Sequence, residues 1–328
     1  MKRCFFGLLC LIFLLSVTGS RAQEQYPLTL TDQGGREVTL TACPRRIVSG
    51  YYISTSALLA LGVRDRIAGI EAKAAERPLY ALCAPELTAL PSVGSAKQFD
   101  LEGCMALEPD LVVLPLKLRD AAETLTRFGI PVLLVSPESL SSLTEMILLL
   151  GQAVGEPQSA QALTDSLSDC QAFLTRALEG VPRPTVYLAG NSSFLSTAGG
   201  GMYQSDFIQW AGGENVAAAL PGSSWNKISY EQLLLWNPDC IVLASDAAYT
   251  VDDVLSDPNL KSLKAVRENR VYRIPGSAEA WDSPVPGSLW GAVWLASRLH
   301  PEQITEETSR DMIHAFYETF YHFDCPAE

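Results

Sequence analysis

The residues able to do chemistry in this chain gather beside short apolar runs. Tyr51 and Tyr52 follow Ile47-Val48-Ser49-Gly50, Lys97 precedes a short helical segment, and Lys117 follows Leu111-Val112-Val113-Leu114-Pro115. Further on, Ser193 and Tyr203 come after Thr185-Val186-Tyr187-Leu188, Trp225 precedes a second helical segment, and Trp281 follows Arg270-Val271-Tyr272-Arg273-Ile274. Broad aromatic faces offer area to bury, while cations and hydroxyls pair with oxygens. The set suits a pocket for a bulky anionic or planar small molecule. It does not suit catalysis. Gly-x-Ser-x-Gly is missing, and His300, His314 and His322 all lie in the C-terminal tail, so the loops cannot assemble a Ser-His-Asp arrangement. The same placement of histidines disfavours a bare zinc or manganese ion held by the protein. Gly199-Gly200-Gly201 is not followed by Lys-Ser/Thr and is weak as a phosphate loop. No cofactor is called for.

The elements that must position these residues come as a repeat. Leu101-Glu102 through Glu108-Pro109-Asp110-Leu111-Val112-Val113-Leu114 is matched by Tyr230-Glu231 through Asn237-Pro238-Asp239-Cys240-Ile241-Val242-Leu243. Glu102 matches Glu231, Pro109 matches Pro238, Asp110 matches Asp239 and Leu114 matches Leu243, all at one offset. Each copy reads as a short helix stopped before proline, a turn, and a fully buried strand. Strands alternating with helices predict parallel sheets covered on both faces, with ligands beyond the carboxyl ends of the strands. The expected fold is α/β, two Rossmann-like lobes with mainly parallel sheets and a ligand cleft between them. One long helix joins the lobes, read over residues 157–179 with Pro157 in its first turn and Gly180 at its stop. Its apolar residues recur at helical spacing from Leu163 to Leu178. The expected domains are a leader at 1–22, an N-terminal lobe at 23–152, the inter-lobe helix at 153–181 and a C-terminal lobe with terminal helices at 182–328.

Several blocks resemble a known family. Pro44-Arg45-Arg46-Ile47-Val48, Ala57-Leu58-Leu59-Ala60-Leu61-Gly62, Asp65-Arg66-Ile67-Ala68-Gly69-Ile70, Leu90-Pro91-Ser92-Val93-Gly94, the two Pro-Asp strand entries, Ala211-Gly212-Gly213-Glu214-Asn215 and Asn269-Arg270-Val271-Tyr272 are similar, in order and spacing, to the periplasmic binding proteins for iron-siderophores and vitamin B12. The resemblance covers nearly all of the chain after the leader. It implies a solute-binding protein that captures a metal chelate (ferric siderophore, haem or corrinoid) and delivers it to the permease and ATPase of an ABC importer. An oxyanion such as molybdate is the alternative ligand. In that family one glutamate on each lobe pairs with permease arginines, and the resemblance implies Glu86 and Glu214 for this role, spaced sixteen and seventeen residues before Glu102 and Glu231.

Charge and the leader agree with an exported protein. Lys2 and Arg3 precede an apolar run at residues 5–17 and the small stretch Thr18-Gly19-Ser20-Arg21-Ala22, the pattern of a secretory signal cut after Ala22. That run is shorter than the roughly 20 apolar residues of a membrane span, and no small residue precedes Cys10 as a lipid-anchor signal requires. The formal net charge of −13 repels nucleic acid and anionic membrane surfaces. Cys43, Cys83, Cys104, Cys170, Cys240 and Cys325 remain after the leader. Export permits disulfides, but spacing does not choose among their pairings, and Cys104 and Cys240 read as buried thiols. A monomer is expected. Two other readings stand beside transport: an enzyme on the same scaffold, and a receptor that keeps the fold without the cleft.

Overall fold

The computed structural model describes residues 26–326, so the expected leader at 1–22 lies outside the described residues. An antiparallel hairpin of β1 (Leu28–Thr31) and β2 (Glu37–Leu40) opens the chain. The first lobe then alternates β3 (Ile47–Ser49), α1 (Tyr52–Ala60), β4 (Ile67–Ile70), α2 (Pro78–Cys83), a small hairpin of β5 (Gly94–Ser95) and β6 (Gln98–Phe99), α3 (Leu101–Ala106), β7 (Leu111–Pro115), α4 (Arg119–Arg127), β8 (Val132–Val135) and α5 (Leu140–Ala153). After α6 (Pro157–Ala177) the second lobe runs β9 (Thr185–Ala189), β10 (Ser196–Thr197), α7 (Tyr203–Trp210), β11 (Glu214–Asn215), β12 (Asn226–Lys227), α8 (Tyr230–Trp236), β13 (Cys240–Leu243), α9 (Val251–Ser256), α10 (Lys264–Arg267), β14 (Val271–Arg273), α11 (Ser288–Leu299) and α12 (Glu306–Tyr321).

The first lobe's sheet has the order β4-β3-β7-β8, all parallel. The second has β12-β10-β9-β13-β14, with β9, β13 and β14 parallel and β11 added beside β9. The repeat explains why both faces of each sheet are buried. Along β7, Leu111 and Val113 join a core shared by the two lobes, while Val112 and Leu114 join a second core on the outer face. Along β13, Cys240 and Val242 join the shared core, and Ile241 and Leu243 an outer one. Successive strand side chains point to opposite faces, so a run apolar at every position is needed where helices cover both. The copies agree in polar detail as well. Asp110 accepts the amide protons of Arg45 and Arg46 at 2.7 and 2.8 Å where β3 begins. Asp239 accepts from the Thr185 amide at 2.8 Å where β9 begins.

Helix α6 has 21 residues, ending two residues before the expected Glu179, with Gly180 in the left-handed region at φ 72°. At 1.5 Å per residue it spans about 32 Å. Its Leu163, Leu167, Cys170 and Leu174 are buried, and it packs on α5 of the first lobe and on α7 and α11 of the second. Close crossing of α5 and α6 rests on Gly151, where an added Cβ would come within 2.3 Å of the Ala160 Cβ. Leu167 is 1% exposed in the shared core, and Leu167→Ala is expected to cost about 2–4 kcal/mol of unfolding free energy. Urea unfolding followed by circular dichroism checks this; a loss below about 1 kcal/mol would show the strut to be loosely packed. Cys104 and Cys240 are fully buried thiols, and Cys43, Cys83 and Cys170 are also free. Among the described residues no helix is long and apolar enough to cross a membrane.

Candidate functional site

The carboxyl ends of the parallel strands form one rim on each lobe. On the first lobe, the β5–β6 hairpin is tied to the end of β4 by the Val93 amide donating to the Ile70 carbonyl at 2.8 Å and Ala72 to Gly94 at 2.7 Å. Asp100 caps α3 by accepting from the Gly103 amide at 2.9 Å. Helix α3 therefore starts at the rim and returns the chain to the amino ends, where the Asp110 amide meets the Arg46 carbonyl. Helix α8 does the same on the second lobe.

Six of the expected ligand residues sit on these rims. Lys97 is exposed at the hairpin tip, Lys117 is exposed on the single turn after β7, and Ser193 is exposed after β9. Trp225 is 36% exposed and packs against Gly190, where a Cβ would come within 2.8 Å of the indole. Tyr51 and Tyr52, at the start of α1, meet edge to face with centroids 5.5 Å apart. Burial raises the ionisation of both hydroxyls above the usual tyrosine range. Tyr203 and Trp281 are placed differently. Tyr203 is buried, its hydroxyl 2.6 Å from the Ser288 hydroxyl and its ring against Trp210. Trp281 is 3% exposed and its indole donates to the Tyr317 hydroxyl at 2.7 Å. A loop position after a strand does not say whether the side chain turns to the rim or to the core, and for these two the core supplies the polar partner.

The two acids expected to dock a permease are exposed but lie at the other ends of the strands. Glu86 pairs with Arg64, ahead of β4, at 3.9 Å. Glu214 stands opposite Thr185, the first residue of β9. Glu102 and Glu231, matched by the repeat, are instead exposed in the first turns of α3 and α8, at the rims.

Between the rims is a cavity of about 50 Å³, lined by Tyr52, Ser56, Arg77 and Tyr80 from the first lobe and by Asp246 and Glu279 from the second. The Arg77 guanidinium carbon lies 4.1 Å over the Tyr52 ring. Glu279 is the junction. It accepts from Ser56 on α1, from the Tyr317 hydroxyl at 2.9 Å and from the Gly287 amide at 3.1 Å. Burial pushes its carboxyl up to about 7, against the pull of those donors. Asp282, also buried, accepts from the Ser245 hydroxyl at 2.8 Å, and burial raises its carboxyl too. Glu71 accepts from Tyr80 at 2.6 Å and from Thr55 at 2.8 Å beneath α1. Arg77 and Glu279 escaped the sequence reading, although the rule of looking past strand ends finds them. Arg77 follows β4, a short strand not recognised as part of the site. Glu279 stands two residues before Trp281 and was overshadowed by it.

His300 lies away from the rims, its Nε2 3.1 Å from the Gly212 carbonyl, and His314 is beside Glu318 and Asp324 on the terminal helix. Among the described residues, no group of three or more His, Cys, Asp or Glu is placed to hold a metal ion.

A family model described as periplasmic binding protein matches residues 47–278. The molybdate-binding protein MolA of Haemophilus influenzae is 25% identical over 319 residues, covering 89% of this chain and 90% of that protein. A cobalamin-binding protein of Halobacterium salinarum is 28% identical over 227 residues, covering 68% of this chain and 60% of that protein. Among solved structures, a periplasmic solute binding protein of Veillonella parvula superposes with a TM-score of 0.82 at 28% identity, over 91% of this chain and 94% of that one. Molybdate-bound MolA superposes with a TM-score of 0.82 at 25% identity, over 92% of this chain and 100% of that one.

Proposed function

The chain belongs to the periplasmic binding protein family, and from that premise we propose that it captures a metal chelate between its lobes, outside the cytoplasm, and hands it to an ABC importer. The observation carrying this reading is the cavity walled by residues from both lobes, which neither lobe makes alone. At about 50 Å³ it is far smaller than the roughly 300–1,000 Å³ of ordinary ligand sites. It therefore takes the end of a ligand whose body lies outside it, toward the rim residues Tyr51, Lys97, Lys117, Ser193 and Trp225. The α6 strut and the core shared by the lobes keep closure small.

Docking falls to Glu102 and Glu231, because the duplication puts one on each rim beside the crevice mouth. Hydrogen bonds from Ser229 and from its own backbone hold the Glu231 carboxyl below the usual range, so it stays charged.

The likeness to molybdate-binding MolA favours a second reading, an oxyanion ligand. The two separate on the protein purified from its native host. The expected result is a visible absorbance band together with bound iron or cobalt in near-stoichiometric amount, and a deletion strain that fails to take up that chelate. Bound molybdenum without such a band would replace the chelate with an oxyanion. Undiminished uptake of every chelate tested in the deletion strain would remove the transport reading.

A further inference from the structure

We infer that Arg77 is the residue that selects the ligand, and that the end inserted between the lobes carries a pair of anionic oxygens belonging to an organic molecule larger than a bare oxyanion. The inference rests on the transport reading and narrows its substrate class.

Three observations carry it. First, the Arg77 Nε is buried, yet it has no hydrogen-bond partner among the described residues. Buried guanidinium N–H groups left without an acceptor are costly, and native structures almost always satisfy them. The acceptor must then come from outside the chain. Second, the guanidinium is held in one orientation by stacking 4.1 Å over Tyr52. A stacked, planar fork presents its edge for two parallel N–H···O bonds, the geometry that fits a carboxylate or a similar oxygen pair. Third, the residues around it are acids rather than further cations. Glu76, Asp246 and Glu279 line the same cavity, and Arg77 is the one basic residue that lines it. A small, doubly charged oxyanion would sit within reach of the Asp246 carboxyl and be repelled. A larger organic anion sets its oxygens on Arg77, leaves the rest of its charge in the crevice near Lys97 and Lys117, and can offer donors to Asp246.

The test uses the full mature protein with four probes: haemin, ferric citrate, cyanocobalamin and sodium molybdate, each titrated by calorimetry. Haemin or ferric citrate is expected to bind more tightly than molybdate. Arg77→Gln is expected to weaken that binding about 10- to 100-fold, with Arg77→Lys recovering only part because an ammonium lacks the fork. The ligand-free unfolding temperature of Arg77→Gln is expected to change little, since removal of an unsatisfied buried donor offsets the lost stack on Tyr52. That separates loss of recognition from loss of fold. Equal affinity in Arg77→Gln overturns the inference, as does molybdate binding most tightly. Binding of cyanocobalamin alone, or of none of the four, overturns it as well, while the transport reading is judged separately by uptake in the deletion strain.

Discussion

Between pH 4.5 and pH 8 the wild-type protein is expected to lose about 3 kcal/mol of stability that Glu279→Gln does not lose. Glu279 is fully buried, and burial raises its carboxyl from 4.5 to about 7. The sign follows from proton binding. Between those values the folded protein keeps the proton that the unfolded chain has released, so stability falls as pH rises through this window. The contribution is fully present below 4.5 and gone above about 7. Asp282 and Glu71 also have carboxyls raised by burial. The difference between the two proteins isolates Glu279, since glutamine mimics the protonated acid. The consequence is local to the lobe junction. Ser56 on α1 and Tyr317 on α12 both donate to this carboxyl, and the Trp281 indole donates to Tyr317. Urea unfolding at a series of pH values, followed by tryptophan fluorescence, measures the effect. Parallel pH profiles for wild type and variant would show that this carboxyl does not hold its proton in the fold.

Replacing both Glu102 and Glu231 with alanine is expected to lower uptake roughly 10-fold or more while leaving ligand affinity unchanged. Rim charges act mainly on the rate and orientation of encounter, so the defect should be largest at low salt and shrink at high salt, where the wild-type steering is itself screened. Both side chains are exposed and in first helical turns, where removing a side chain leaves no cavity. Folding should be intact by circular dichroism. The pair Glu86 and Glu214 serves as the counter-test. If Glu86→Ala with Glu214→Ala abolishes uptake and the rim pair does not, the partner engages the amino ends of the strands, and the symmetry argument for the rims is lost.

The rim placement of six candidate residues was legible because it depends on local order. Tyr51, Tyr52, Lys97, Lys117, Ser193 and Trp225 all follow or precede strand ends, and the parallel sheet carries every such loop to one rim. Gly190 accepts the Trp225 ring because no Cβ intervenes, a pairing across 35 residues that no pattern of spacing announces. Tyr203 and Trp281 show the limit of position alone. Each stands in a loop where a ligand residue could stand, and each turns inward because Ser288 and Tyr317 from the terminal helices offer a partner to its polar atom. The docking acids show a second limit. Spacing along the chain put Glu86 and Glu214 in register with the repeat, but only the strand directions tell which end of a sheet each occupies.

What the sequence by itself determined is the architecture: duplicated helix–turn–strand units, apolar at every strand position because both sheet faces are covered, and a long one-sided helix between them. These are consequences of periodicity and backbone geometry, and they act within about 20 residues of the chain. What only the tertiary structure decided is the chemistry at the lobe junction. Arg77 and Glu279 are separated by some two hundred residues, and the charge state of Glu279 depends on burial and on donors contributed by distant elements. Desolvation and hydrogen-bond satisfaction are properties of assembled surroundings, so they come into being only when the lobes close on one another.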